Sequence, residues 1–413
     1  MSLRFVILTQ YYPPETGAPQ NRLSDLAGRL AAAGHEVTVL TAKPNYPRAE
    51  IHPEFRRGLW KERREGTVRV VHCWLYPSKS KRLVLRLLNY FSFVLSSAAI
   101  GALKLRRADY LIVESPPLFL GMTGWLLSRL ERASMIFNVS DLYPETAVAL
   151  GYLREGRMLN ALFALERWCY RQSVLVTGQT EGIVDSIRRR FPEVPVHLWT
   201  NGIDVAQFAR SVHGGRGDRF TIGYAGILGH AQALFSVLEG AALLHERGIH
   251  ATFHLYGDGP LREELEQKVR ALGLDNVVFA GHRTRAEILS AMEDWDAGLV
   301  PLVDTPLMAG ALPSKMFEVM AAGLPVVLFT PEGEASRLVA RAGGGVHAAA
   351  GDPEALAAAV ERLAADREAA REMGQSARTH AMAHYDRGRI ADSFLNRLEG
   401  MRNSDSGVRK ERA

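Results

Sequence analysis

The amino-acid sequence predicts an α/β protein with two doubly wound domains, each built on a parallel β-sheet. The first observation is its length of 413 residues, which exceeds what one hydrophobic core usually organises. The second is the alternation of short β-branched runs with longer segments of helical periodicity. The third is that this alternation restarts after a turn-rich segment at residues 213–218. Crossover helices between parallel strands are therefore expected on both faces of each sheet.

Thirteen strands are predicted from these runs, seven in the first half of the chain and six in the second. Those of the first half lie at residues 5–9, 37–41, 68–73, 110–114, 134–139, 173–177 and 196–199. Those of the second half lie at residues 220–225, 252–256, 277–280, 296–300, 326–329 and 345–347. In such folds ligands bind at the carboxyl ends of the strands, so the two domains are expected to face each other across a cleft.

Composition and turn signals predict how the chain is divided. We expect an N-terminal domain over residues 1–205 and a C-terminal domain over 206–385. A helix over 386–402 is expected to pack back toward the N-terminal domain. The basic residues that follow predict a disordered tail over 403–413.

Cysteine usage and the N-terminal residues bear on the cellular compartment. Cys73 and Cys169 are too few for a disulfide framework or a metal site, and both are expected to be buried packing residues. The first residues lead directly into a strand, without the basic and apolar regions of an export signal. A cytoplasmic location is therefore expected.

Charge is distributed unequally between the two halves. Residues 1–205 carry a net charge of +9, whereas residues 206–413 carry −4. This asymmetry favours an anionic partner for the first half, such as a membrane surface or a phosphorylated substrate. Nucleic acid is not expected, because no helix-turn-helix, zinc or RNA-binding signature accompanies the basic residues.

Residues 83–105 are strongly apolar and leave two interpretations open. Arg86, Asn89 and Lys104 interrupt or bound the segment, so a transmembrane span is not expected. Basic residues flank it on both sides, as in a helix that contacts an anionic membrane surface, here the cytoplasmic face of the inner membrane. A crossover helix between two strands explains the same pattern equally well.

The segment at residues 312–327 predicts a loop, a short helix and a buried strand. Pro313 and Ser314 would lie at the start of the helix, where unpaired backbone N–H groups and the helix dipole favour a phosphate. Lys315 adds a full positive charge. Glu318, one turn later, would accept hydrogen bonds from hydroxyl groups such as those of a ribose. The simpler alternative is a helix that only packs its apolar residues into a core.

Two glycine-containing loops follow predicted first strands of the two domains. Residues 12–17 end in Gly17, and residues 226–229 begin and end with Gly226 and Gly229. Glycine permits close approach of the backbone to a ligand at both loops, and at residues 226–229 a phosphate is the expected ligand. Simple turns remain the alternative.

Several short motifs recur in one order along the chain. They are residues 11–17 (YYPPETG), 33–41 (AGHEVTVLT), 141–145 (DLYPE), 201–204 (NGID), 224–229 (YAGILG), 256–260 (YGDGP) and 314–323 (SKMFEVMAAG). In this order and spacing the chain resembles the retaining nucleotide-sugar glycosyltransferases of family four, which have the GT-B architecture of two Rossmann-like domains. The variants at 141–145 and 313–315 are most similar to the WbuB-like subgroup of bacterial surface-polysaccharide enzymes.

The resemblance implies that a sugar is transferred from a nucleoside diphosphate, expected to be UDP, to a polyprenyl-diphosphate-linked saccharide. It implies acceptor binding by the N-terminal domain and donor binding by the C-terminal domain. The implied catalytic residues are Asp141, Lys315 and Glu318. The implied donor-binding residues are Gly17, Gly226, Gly229, His282, Gly310, Ala311, Leu312, Ser314, Lys315 and Glu318. No Asp-x-Asp motif occurs at a donor loop, so no metal cofactor is expected.

The chain departs from the family pattern at two places. The family usually has an Arg and a Lys in the loop where this chain has Ile227 and then residues 230–232 (HAQ). Lys315 is the nearest replacement for that positive charge. The first of two glutamates spaced eight residues apart is replaced by Gly310, while the second is Glu318. An amino or deoxy donor sugar is the expected consequence.

Asp141 falls where many relatives carry a His, and two roles are open to it. It would orient the acceptor hydroxyl or the sugar, or it would cap the helix that begins near Pro144. Two other functions also remain open at this point. A UDP-sugar 2-epimerase has the same fold, and the missing Arg and Glu are compatible with a non-catalytic nucleotide-sugar-binding protein.

Overall fold

The computed structural model divides the chain into two compact units. One comprises residues 1–201 with 388–413, and the other comprises residues 202–387. The structure describes residues 2–15, 17–45, 49–78, 83–149, 153, 155–210, 215, 217–306 and 308–411. Thr16 of the first glycine-containing loop and three residues of the turn-rich segment at 213–218 (His213, Gly214 and Arg216) lie outside the described residues, as do Lys79, Lys81 and Arg82.

The first unit contains an eight-stranded sheet in the order β3-β4-β2-β1-β5-β6-β7-β8. Its strands are β1 Arg4–Thr9, β2 Glu36–Ala42, β3 Trp60–Glu65, β4 Val68–Cys73, β5 Tyr110–Ser115, β6 Ser134–Val139, β7 Leu175–Gly178 and β8 Val196–Leu198. The helices before residue 200 are α1 Ala18–Ala32, α2 Leu83–Lys104, α3 Leu120–Glu131, α4 Glu145–Ala149, α5 Arg157–Gln172 and α6 Glu181–Arg190. Apolar clusters lie on both faces of the sheet, and Cys73 and Cys169 are buried within one of them, as predicted.

Strand β3 was not predicted, and it makes the first sheet mixed rather than purely parallel. It pairs antiparallel with β4 at the edge of the sheet, with Trp60 opposite Cys73. Five of its six residues are charged, and most are exposed. An edge strand needs no apolar face and is protected from further pairing by charge, so its sequence lacks the period-two pattern that identifies a strand.

The second unit contains six parallel strands in the order β11-β10-β9-β12-β13-β14. They are β9 Phe220–Ala225, β10 Ala251–Tyr256, β11 Val277–Gly281, β12 Ala297–Pro301, β13 Val326–Thr330 and β14 Gly345–Ala349. Its helices are α7 Leu234–Glu246, α8 Arg262–Ala271, α9 Arg285–Ala291, α10 Ser314–Ala322, α11 Glu334–Ala342, α12 Pro353–Ala365 and α13 Arg367–His384. All thirteen predicted strands are present, with ends within two residues of the prediction.

Each sheet has one point at which the strand order reverses. In the first unit β1 lies between β2 and β5, and in the second unit β9 lies between β10 and β12. At such a point the connections leave toward opposite faces of the sheet and open a crevice at the carboxyl ends of the strands. The β1/β5 and β9/β12 crevices are therefore where the fold itself favours ligand binding.

The last helix, α14 (Arg387–Glu411), contributes to the core of the first unit. Phe394 is fully buried and stacks on Trp199, with ring centroids 5.1 Å apart. The Tyr110 hydroxyl donates a hydrogen bond to the Leu398 carbonyl at 3.3 Å. The helix continues to Glu411, through most of the range for which the sequence predicts a disordered tail. Disorder of residues 403–413 stays a prediction.

Replacing Phe394 by Ala should destabilise the protein by about 3–5 kcal/mol, because a buried aromatic ring and its stacking partner are lost. The exposed Asn396, on the same helix, provides the matched control, since Asn396→Ala should change the free energy of unfolding by less than about 0.5 kcal/mol. Denaturant titration of both variants measures the difference. Equal stabilities would show that α14 does not contribute to the folded core.

Candidate functional site

Three backbone loops pack against one another at the carboxyl ends of β9, β10 and β11. Gly226 N–H donates to the Tyr256 carbonyl at 2.9 Å, and Gly257 N–H donates to the Gly281 carbonyl at 2.9 Å. A Cβ atom on Gly257 would lie 1.8 Å from the Gly226 carbonyl oxygen, so no side chain fits there. The glycines thus serve first to bring these backbones together, and the resulting edge borders the β9/β12 crevice.

Lys315 extends from the first turn of α10 to the loop that follows β9. Its Nζ donates a hydrogen bond to Gln232 Oε1 at 2.7 Å and lies 3.4 Å from the Tyr224 hydroxyl. It also lies 4.5 Å from the centre of the Tyr224 ring. A Cβ atom at Gly226 would come within 2.9 Å of this ammonium group. The loop after β9 and the start of α10 therefore share one cation at the β9/β12 crevice.

The surroundings of Lys315 make its charge titratable near neutral pH. Part of its side chain remains accessible to solvent, but its ammonium group is enclosed. Burial lowers the pKa of Lys315 to about 7, and the nearby Glu318 carboxylate opposes this shift. An anion bound at the ammonium group would favour the protonated form.

The segment leading into α10 has the predicted local structure. A short 3-10 helix at Met308–Gly310 precedes it, and Ala311 N–H donates to the Met308 carbonyl at 3.2 Å. Pro313 is the N-cap of α10 with extended backbone, so the helix begins at Ser314 rather than at the proline. Leu312 packs against the apolar cluster beneath the helix. A Cβ atom at Gly310 would meet no atom within 4 Å, so packing does not require glycine there.

Glu318 has a partner that the sequence analysis did not name. Arg285, at the start of α9, donates to Glu318 Oε1 at 2.7 Å and to Gln207 Oε1 at 2.6 Å. The ion pair is partly exposed, so its contribution to stability is small. Its main effect is geometric, because it holds the Glu318 carboxylate beside the first turn of α10.

The remaining predicted donor-binding residues of the second unit lie along the same edge of its sheet. Gly229 caps a short 3-10 helix at His230–Gln232, which places Gln232 within reach of Lys315. His282 follows the end of β11 and is exposed. Ile227 is half exposed, at the position where the family resemblance expects an Arg. The positive charge in this loop is therefore contributed by Lys315 from α10.

In the first unit, a buried ion pair joins the two sides of the β1/β5 crevice. Arg22 of α1 donates to Glu114 Oε1 at the end of β5 at 2.8 Å, and both side chains are about 95% buried. Arg22 also donates to Asn201 Oδ1 at 2.9 Å, and Asn138 donates to Glu114 Oε2 at 2.6 Å. Ser140 bonds to the same Glu114 carboxylate. The network ends beside Asp141, the next residue after Ser140.

Asp141 is exposed as a whole residue, but neighbouring protein atoms surround its carboxylate. Burial of the carboxylate raises its pKa above the ordinary value, the Glu114 charge adds to this effect, and the Arg22 guanidinium opposes it. Among the described residues, no hydrogen bond joins the Asp141 side chain to the first turn of α4, so a capping role has no bond to support it.

Gly17 is the N-cap of α1, and Gln20 fills the space beside it.

Sequence reasoning missed Arg22, Glu114, Tyr224, Gln232 and Arg285. Two of them carried a signal that could have been used. Glu114 is a charged residue in the otherwise apolar strand β5 (YLIVES), and Arg22 lies beside Leu23 and Leu26 on the buried side of α1. A charge inside an apolar pattern is costly unless it is paired, so it predicts a buried polar contact. The other three carried no comparable signal, because only the tertiary contacts connect them to Lys315 or Glu318.

Within the part of the chain that the structure describes, no group of three or more His, Cys, Asp or Glu side chains could hold a metal ion. Independence of a metal cofactor stays a prediction.

Comparison with known protein families assigns both units. The family model described as "Glycosyl transferase 4-like domain" matches residues 17–202, and the model described as "Glycosyl transferases group 1" matches residues 219–366. The two matches do not overlap, and each covers most of one unit.

Individual proteins agree with these matches. The chain is 26% identical over 327 residues to the putative colanic acid biosynthesis glycosyl transferase WcaI of Escherichia coli, a match that covers 76% of this chain and 79% of WcaI. Sucrose-phosphate synthase from Thermosynechococcus elongatus has a similar structure, with a TM-score of 0.75, 17% identity and coverage of 97% and 100% of the two chains. Anabaena Alr3699/HepE, solved in complex with UDP and glucose, has a TM-score of 0.68, 16% identity and coverage of 96% and 100%.

The chain is therefore a glycosyltransferase, and it belongs to the group 1 and 4-like glycosyltransferases with the GT-B fold. Its two parallel-sheet α/β units are those of that fold. Between the functions that the sequence left open, the matched families support transfer of a sugar rather than epimerisation or binding alone.

Replacing Lys315 by Met should change how stability depends on pH. Because folding lowers the pKa of Lys315, the unfolded chain binds more protons between pH 7 and the ordinary lysine pKa, and stability rises with pH across that window. The parent protein should thus gain about 2–3 kcal/mol relative to Lys315→Met between pH 6 and pH 9. Denaturant titrations at both pH values measure the difference between the two proteins, which cancels all other titrating groups. Parallel pH profiles would show that the ammonium group is not enclosed.

Proposed function

We propose that this enzyme transfers a sugar, with retention at the anomeric carbon, from a UDP-sugar to a polyprenyl-diphosphate-linked saccharide during synthesis of a bacterial surface polysaccharide. An N-acetylated amino sugar or a deoxy sugar is the proposed donor sugar. The subgroup closest to this proposal is the WbuB-like one of family four. The enzyme would act in the cytoplasm, at the inner face of the membrane that holds its acceptor.

The observation that carries the proposal is the position of Lys315. One ammonium group, within hydrogen-bond reach of the loop after β9 and anchored at the start of α10, lies at the reversal point where a doubly wound sheet binds ligands. The helix start adds the partial positive charge of its dipole and the N–H groups of its first turn. A diphosphate is the ligand whose charge and size fit both features.

The names of related proteins support the donor and the biological role. Alr3699/HepE, which shares the fold, was solved with UDP and glucose, and this supports a uridine nucleotide here. WcaI is named for colanic acid biosynthesis, and this supports a surface polysaccharide as the product. The lipid-linked acceptor is the substrate class expected for that role.

The proposed chemistry divides between departure of the diphosphate and attack by the acceptor. As the bond to the anomeric carbon breaks, negative charge develops on the β-phosphate, and Lys315 with the Ser314 turn would stabilise it. Glu318, oriented by Arg285, would accept hydrogen bonds from the ribose. The backbone at Gly226 and Gly229 would approach the phosphates.

We assign recognition of the base and of the donor sugar to the two ends of the carboxyl edge of the second unit's sheet. The backbone near His282 would bind uracil, and the segment at residues 310–312 would bind the donor sugar in place of the absent glutamate. Gly17 would approach the donor phosphate or the acceptor at the first loop of the other unit.

Asp141 would orient the acceptor hydroxyl or the sugar. We assign no double displacement, because no pair of carboxylates among the described residues of the site supports one, and propose attack on the same face as the departing diphosphate. The leaving phosphate would then accept the acceptor proton. No metal ion takes part in this scheme, since Lys315 and the helix start supply the positive charge.

Nucleotide selectivity tests the donor assignment directly. UDP should raise the melting temperature of the protein more than GDP or ADP at equal concentration, because the nucleotide that binds more tightly stabilises the folded state more. A ligand at about a hundred times its dissociation constant adds roughly 2.7 kcal/mol. Lys315→Met should lose most of that shift, whereas Lys268→Met, on the surface of the same unit, should retain it. A larger shift with GDP or ADP would refute the uridine nucleotide.

Replacing Asp141 by Asn should reduce transfer to lipid-linked acceptors in membrane extracts by about 10²-fold or more. The melting temperature should be unchanged or slightly higher at pH 7, because the fold raises the pKa of this carboxyl and so disfavours its charged form. Asp185→Asn, at an exposed position in the same unit, serves as the control. A large loss of stability with retained transfer would assign Asp141 a structural role instead.

A further inference from the structure

Helix α2 has an apolar exposed face, which is the reverse of the usual pattern for a surface helix. Every described α2 side chain that is exposed is apolar: Val84, Leu88, Leu95, Ala99, Ala102 and Leu103. Leu95 and Leu103 are 69% and 77% exposed. The positions recur at the helical period, so they form one stripe along a helix of about 33 Å. We call these six residues the α2 stripe.

The opposite side of α2 is built into the first unit. Phe93 and Val94 are buried in its core, and Thr123 of α3 donates a hydrogen bond to the Val94 carbonyl at 2.9 Å. By length and composition alone α2 could cross a membrane, with 28% of its apolar window buried in the protein. Because its inner face belongs to the core, the helix is positioned to lie along a membrane surface rather than to span it.

Aromatic residues extend the stripe near the first half of α2. Trp74 and Tyr76, which follow β4, are both partly exposed. The Tyr76 N–H donates to Ser92 Oγ at 2.8 Å, and Ser96 donates to the Trp74 carbonyl, so this loop is held against the helix. The two rings and the stripe enclose an apolar groove of about 590 Å³. Tryptophan and tyrosine are favoured where a protein surface meets the boundary between lipid and water.

A basic cavity lies at the C-terminal end of the stripe, among the amino ends of β1, β2 and β4. Its volume is about 610 Å³. Six basic side chains line it against two acidic ones: Arg4, Arg64, Arg69, Lys104, Arg106 and Arg107 against Glu36 and Glu62. Leu103 of the stripe lines it as well.

Salt bridges neutralise only part of this positive charge. Arg69 forms two hydrogen bonds with Glu62, at 2.8 and 3.0 Å, and Arg4 lies 3.3 Å from Glu36. Among the residues that the structure describes, no carboxylate forms a salt bridge with the other four cations, although Glu62 attracts Lys104 and Arg64 at longer range. The Lys104 ammonium lies 4.8 Å from the Trp60 ring, which keeps it at the cavity. A multiply basic cavity that adjoins an apolar stripe fits the phosphate of a lipid whose acyl chains contact the stripe.

We propose that the α2 stripe and the basic cavity together form a docking surface for a bilayer that contains anionic phospholipid. The stripe enters the acyl-chain boundary, and the cavity binds a lipid phosphate. A second copy of this chain is a poorer occupant, because it would bring an identical set of cations to the same contact. The inference is independent of the proposed donor, since none of these residues is assigned to donor binding.

The surface is also connected to the carboxyl edge of the same sheet. Gln10, just after β1, donates to Asn89 Oδ1 of α2 at 3.0 Å, and Asn89 donates to the Tyr76 carbonyl at 2.7 Å. One end of the stripe is thus bonded to the loop that leads toward Gly17. A bilayer on the stripe would bring the headgroups of membrane-anchored molecules to the edge where Asp141 lies.

Vesicle flotation with the full chain tests the proposal. The parent protein should float with vesicles of phosphatidylcholine and phosphatidylglycerol, much less with phosphatidylcholine alone, and less as salt is raised. The double variants Leu95→Glu/Leu103→Glu and Arg106→Glu/Arg107→Glu should each weaken partitioning by about tenfold or more. The matched controls Leu130→Glu and Arg157→Glu, at exposed positions elsewhere in the same unit, should retain it.

Two further measurements keep the outcome decisive. Melting temperatures and the thermal shift with UDP should match the parent in all four variants, so that loss of folding or of donor binding is distinguished from loss of docking. Vesicle binding that the stripe and cavity variants leave intact would overturn the proposal, as would absence of binding at low salt. A dimer in light scattering that Leu95→Glu/Leu103→Glu dissociates would assign the stripe to a second copy and also overturn it.

Discussion

The site of the second unit depends on one contact, that between the Lys315 ammonium group and the loop after β9. The ammonium group needs an acceptor in Gln232, an aromatic face in Tyr224 and the absence of a side chain at Gly226. Each of these features would be unremarkable alone. Together they enclose a cation at the crevice of the sheet, and this enclosure lowers the pKa of Lys315.

At the reversal point of its own sheet, the first unit buries an ion pair rather than a single charge. Arg22 is buried between Glu114 and the ring of Trp199, whose centre lies 5.1 Å from the guanidinium carbon. Apolar side chains alone would fill and close the crevice between the diverging connections. Buried polar groups that hydrogen-bond to one another can instead hold its two sides in place. Trp199 then also packs against Phe394, which links the crevice to the last helix of the same unit.

The inner face of α2 confirms the crossover-helix interpretation of residues 83–105, whereas contact of its outer face with a membrane stays a proposal. The inner face of α2 is that of a crossover helix between β4 and β5, and it packs as such against the sheet. The outer face carries exposed apolar residues, which bury no surface within the unit and so do not stabilise its fold. Periodicity alone could not separate the faces, because apolar residues occur on both.

The sequence by itself determined thirteen of the fourteen described strands and the two-unit architecture, because apolar periodicity and turn residues act locally and are read without knowing the partners. It also identified Lys315, Glu318 and Asp141 as the charged groups at strand and helix ends. Only the tertiary structure decided that Lys315 meets Gln232, that Arg285 holds Glu318 and that Arg22 pairs with Glu114. Those contacts join residues between 33 and 92 positions apart, and such separations are set by strand order, which no local pattern encodes.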